Sequence, residues 1–117
     1  MASTLGQITI QQKTCTVEAV SSNSKAFIVT VKTNPERAFL AENDQKVPSK
    51  FSATGTVRYK DIKDLDLDGI TVTGTIGKTK VTLAIGDGDD VVNVNADLDE
   101  TKDPAVSVFG TGSWSSN

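Results

Sequence analysis

Apolar and polar residues alternate along most of this chain, and the alternation restarts every eight to twelve residues after a cluster of Gly, Asn, Asp, Pro or Ser. That period of two is the signature of strands with one buried face, and the regular restarts are those of a sandwich or barrel. Ile8 and Ile10 alternate with polar neighbours, as do Cys15, Val17 and Ala19 before the Ser21-Ser22-Asn23-Ser24 turn. Phe27, Val29 and Val31 follow, then 53–59, three closely spaced strands, and 106–114. The expected fold is all-β: an antiparallel β-sandwich or flattened barrel of about eight strands, forming one domain over residues 1–117.

One stretch breaks the period. Asn34-Pro35-Glu36-Arg37-Ala38-Phe39-Leu40-Ala41-Glu42-Asn43 sets a capping residue, a proline and an acid ahead of a compact apolar patch. This pattern predicts one short helix near 35–42, ending near Asn43 and plugging one end of the sheet.

Register can be derived for 69–97. A turn at Ile76-Gly77-Lys78-Thr79 sets Val72 opposite Leu83 and Ile70 opposite Ile85, with Thr73 and Thr75 on the other face. A second loop at Gly86-Asp87-Gly88-Asp89 then sets Asp90 opposite Ile85, Val92 opposite Leu83 and Val94 opposite Val81. A slip of one residue would turn every aliphatic side chain to the wrong face. Glycines flanked by threonine, at 55 and 74, and the Gly110-Thr111-Gly112 piece mark bulges or close backbone packing.

Composition narrows the chemistry. Histidine is absent, which removes Ser–His and Cys–His nucleophile pairs and imidazole metal sites. Cys15 is the lone cysteine, so no intrachain disulfide or thiolate zinc site can form. Flanked by threonines at an inward strand position, it reads as an inert small hydrophobe. No enzyme is expected. Residues 1–60 carry eight Lys/Arg against four Asp/Glu, and residues 61–117 carry four against eleven. The basic residues are scattered without interleaved aromatics, which argues against nucleic acid. No signal peptide and no membrane span is read from the sequence, and a cytoplasmic or particle-assembled location is expected.

The meander places Asp64, Asp66 and Asp68 at the same end of the sheet as Asp87, Asp89 and Asp90, an acidic pole. Asp64-Leu65-Asp66-Leu67-Asp68-Gly69 matches the opening of a calcium loop. The twelfth position is Thr75 and not a bidentate Glu, so an EF-hand is excluded. Three readings remain: a solvated edge strand with Leu65 and Leu67 inward, a Ca²⁺ site on Asp64, Asp66 and Asp68 completed by Asp87 or Asp89, and, ranked last, a carboxylate pair acting as glycosidase acid and base, for which the chain offers few sugar-stacking aromatics. Of the few aromatics, Tyr59 and Trp114 are the candidates for a glycan platform or a partner contact, set against ordinary core positions. The favoured function is a non-enzymatic structural or interaction protein, a self-assembling or particle-associated subunit whose partner is itself or another protein. The alternative is a small ligand-binding module holding Ca²⁺ or a glycan at the acidic pole.

Overall fold

The chain is described by a computed structural model over residues 10–86 and 91–116. Among the described residues, β-branched and small residues on a period of two give six antiparallel strands: β1 (Gln11–Ala19), β2 (Ala26–Val31), β3 (Arg37–Asn43), β4 (Ser52–Tyr59), β5 (Ile70–Ile85) and β6 (Val92–Ser116). The helical content is a 3₁₀ turn over Ile62–Leu65. All six strands belong to one sheet, in the order β3-β2-β1-β4-β6-β5.

The pairings close on themselves. β3, first in that order, also pairs with the C-terminal part of β6, Arg37 opposite Ser116 through Asn43 opposite Gly110. The N-terminal part of β6 meanwhile pairs with β4, Val57 opposite Val94. Two long strands make this possible by bending. The first half of β5 pairs with Val106 to Gly112 of β6, its second half with Val92 to Asp97. The two halves of β5 also lie side by side, because Gly86 N–H donates to the Thr71 carbonyl (2.7 Å). Read around the circuit, β4-β1-β2-β3 is one Greek key, and the halves of β6 and β5 repeat its order as a second. Six strands therefore supply about eight ladder segments, with an outer and an inner face.

The inner face is the core. Val17, Phe27, Val29, Phe39, Val57, Val72, Leu83 and Val94 are all buried, each removal from water being worth about 1.5–3 kcal/mol for a full-sized aliphatic or aromatic group. As expected for 69–97, Val72, Val81, Leu83, Ile85, Val92 and Val94 face inward while Thr73, Thr75 and Thr82 face out; Ile76, expected in a tight turn, is instead a buried residue of β5 opposite Val106. The register within that region is corrected by two residues. Val92 sits opposite Ile85 and Val94 opposite Leu83. Gly86, not Ala84, bonds to Thr71. A slip of two keeps each side chain on its own face, so the hydrophobic pattern does not distinguish the two alignments.

The helix expected near 35–42 is not formed; β3 occupies this stretch. Phe39, Ala41 and Asn43 are buried, and Leu40 and Glu42 are exposed, a period of two. β3 is flanked by β2 and β6, whose ladders satisfy its backbone on both sides. A two-turn helix leaves most of its terminal N–H and C=O groups unpaired and cannot compete. The capping-like start instead belongs to the turn out of β2, where the Thr33 hydroxyl donates to the Pro35 carbonyl (2.7 Å).

Candidate functional site

The end of the ring where β1 and β3 begin and β2 and β4 finish collects the chain's chemistry. Of the expected acidic pole, Asp64 and Asp66 are engaged in local structure there, and Asp90 lies outside the described residues. Asp61 caps the 3₁₀ turn, its Oδ1 accepting Lys63 N–H (3.0 Å), while Asp64 Oδ2 accepts Asp61 N–H (3.3 Å). Asp66 Oδ1 accepts from Arg37 Nε (2.8 Å), and Asp68 is exposed. The edge-strand alternative is corrected as well: Leu65 is buried in the 3₁₀ turn, but Leu67 is 45% exposed. Asp87 and Asp89 lie outside the described residues. Among the described residues no group of three or more acidic or thiol side chains is arranged to hold a metal. The Arg37–Asp66 pair also shows that the basic first half and acidic second half mix at this end instead of forming separate poles.

Tyr59 and Trp114 are both buried rather than exposed. Trp114 packs against Phe39 with ring centroids 5.1 Å apart and planes tilted by 48°, and its indole N–H has no partner among the described residues. Neither ring offers a flat sugar-stacking face to solvent. Cys15 is fully buried, and burial pushes its thiol up to about 11, a Gly55 backbone hydrogen bond opposing weakly. At pH 8 the native thiolate fraction is then about one in a thousand. A disulfide reagent is expected to label Cys15 only as fast as the native chain opens, and within seconds in denaturant; prompt labelling of the native protein would contradict its burial.

A polar constellation that the sequence reading did not pick out occupies the same end. On β1, Gln11 and Lys13 share the inward-facing register of Cys15 and Val17. On β3, Arg37 continues the row of Phe39 and Ala41; on β4, Tyr59 continues the row of Ala53 and Val57. Thr33 extends the row of Val29 and Val31 just past β2. These residues border an open cavity of about 500 Å³ together with Lys60. The signal was available in the alternation, as polar residues at inward positions where each apolar row ends.

The outer face carries a second feature. Ile28 of β2 sits directly opposite Leu40 of β3, and Leu40 is 55% exposed. Phe109 of β6, opposite Thr73, is 61% exposed. No helix among the described residues is long and apolar enough to cross a membrane. No protein-family model, curated protein or solved structure matches the chain.

Proposed function

We propose that this chain is a non-enzymatic structural or interaction protein, a β subunit that assembles with copies of itself or within a larger particle. The observation carrying this reading is the outward display of Leu40 and Phe109 on an otherwise Thr-, Ser- and Lys-rich outer face. Large apolar side chains left this exposed gain most from burial against another surface. The closed circuit of ladders supports the choice of surface. Strand addition needs an unpaired edge, and the described strands are paired around the ring, which leaves face-to-face packing as the route. The non-enzymatic part rests on the absence of histidine and on a single thiol held protonated by burial.

Light scattering against concentration at low salt tests this. Wild type is expected to gain mass with concentration, and the pair Leu40→Ser with Phe109→Ser to remain monomeric at an unchanged melting temperature. A monomer at every concentration in wild type removes self-assembly. The Ca²⁺-module alternative competes with Arg37 for Asp66 and with the cap for Asp64, which is why it ranks second.

A further inference from the structure

We propose that the polar mouth between the ends of β1, β2, β3 and β4 is a binding site for a small oxyanion, a phosphate or carboxylate group. The inward rows of four neighbouring strands change there from Cys15, Val31, Phe39 and Val57 to Lys13, Thr33, Arg37 and Tyr59. At this end the core gives way to the exposed Lys13 and the mostly buried Arg37. Lys60 is a third cation beside them.

Arg37 is held ready. Its Nε–H donates to Asp66 Oδ1 (2.8 Å), and Nη1 donates to Thr33 Oγ1 and to the Pro35 carbonyl (3.3 Å each). A guanidinium has five N–H donors, so those on Nη2 have no partner among the described residues. The side chain is only 12% exposed. A fixed, mostly desolvated guanidinium whose Nη2 donors are spare can give an oxyanion a charge-assisted hydrogen bond through that one nitrogen.

Tyr59 lines the same mouth, its phenol oxygen open to the cavity and not sealed in the core. It is 3% exposed, it borders the cavity, and its phenol makes no hydrogen bond among the described residues. Burial raises the phenol above its usual range, with the Arg37 charge pulling the other way. The group therefore stays an O–H donor at neutral pH. Asp66 balances one charge, and Asp61, which borders the cavity and stays negative while it caps the turn, balances a second. Three cations, Arg37, Lys13 and Lys60, against these two carboxylates leave the mouth net positive by one. The space, about 500 Å³, suits a small organic anion and is too small for a protein segment of any length.

The test is a thermal-shift titration with inorganic phosphate and, separately, succinate, each against sodium chloride at equal ionic strength. A ligand selective for the folded state at ten times its Kd is expected to raise the melting temperature by about 5 °C. Lys13→Gln and Tyr59→Phe are expected to keep the wild-type melting temperature in chloride and to lose most of that gain. A response to phosphate alone assigns a phosphate-bearing ligand, and a response to succinate alone assigns a carboxylate; either supports the site. No shift with either anion, or the same shift in wild type and both variants, overturns it. None of these results depends on oligomeric state, so the site can fail while self-assembly stands, and the reverse.

Discussion

Gly55→Ala is expected to destabilise the protein by about 3 kcal/mol, the upper end of what overpacking costs, although it adds one methyl group to a strand. Gly55 lies on the inward face of β4 opposite Ala96. A Cβ built there meets the Asn95 carbonyl oxygen and the Ala96 backbone, so the obstruction is main chain and cannot rotate away. The same arrangement recurs at Gly74 against Thr82, at Gly110 against Glu42 and at Gly112 against Leu40. These four glycines sit where strands curl tightly enough to close the ring, and the missing Cβ lets neighbouring backbones approach. Gly69 is the control. Its φ of +62° calls for glycine or asparagine, yet nothing lies within 4 Å of an added Cβ. Thermal melts should place Gly55→Ala on the order of 10 °C below wild type, with Gly69→Asn within a few degrees of it. Equal melting temperatures for Gly55→Ala and wild type would mean that the sheet does not coil at that point.

The contrast between these glycines and the register shows what alternation encodes. Period two assigns a face to each residue, and over 71–85 and 92–96 the buried and exposed positions follow the sequence pattern. It is blind to a slip of two, which is the error made between Ile85 and Val92. Threonine-flanked glycines at 55 and 74 narrowed to a bulge or a close backbone approach in sequence, and the structure shows the close approach. The stretch Arg37–Asn43 was misread for a different reason. Its inward row and Leu40 on the outer face merge into one apolar patch in sequence, and only the neighbouring ladders of β2 and β6 separate them. The mouth does not stand out in sequence because its cations lie on or beside separate strands, far apart along the chain. Lys13, Arg37 and Tyr59 become a group only once four strand ends are aligned.

Asn43 combines both lessons and carries the second large effect. It is a buried polar side chain at the edge of the core, 3% exposed, at the last inward position of β3. Its amide acts as an extra rung between β3 and β6. Oδ1 accepts Phe109 N–H (2.7 Å), and Nδ2 donates to the carbonyls of Ser107 (3.2 Å) and Gln45 (3.1 Å). The orientation is fixed by chemistry, since a reversed amide would set NH₂ against an N–H. Asn43→Ala strips partners from three backbone groups and is expected to cost about 3 kcal/mol, unsatisfied buried groups costing roughly 1–3 kcal/mol each and water reaching some of them. Asn43→Asp should be worse at neutral pH, because a carboxylate would face two carbonyl oxygens where the amide now donates. Both that repulsion and burial favour the protonated acid, so its folded pKa rises above the unfolded value of about 3.9. The sign follows from linkage: the folded state binds the proton more tightly, so stability is greatest below about pH 4 and falls as pH rises toward the folded pKa. Denaturant melts of Asn43→Asp from acid to neutral pH are expected to show that decline relative to wild type measured in parallel. A constant difference between the two across the range would mean that the side chain at position 43 does not face the Ser107 and Gln45 carbonyls.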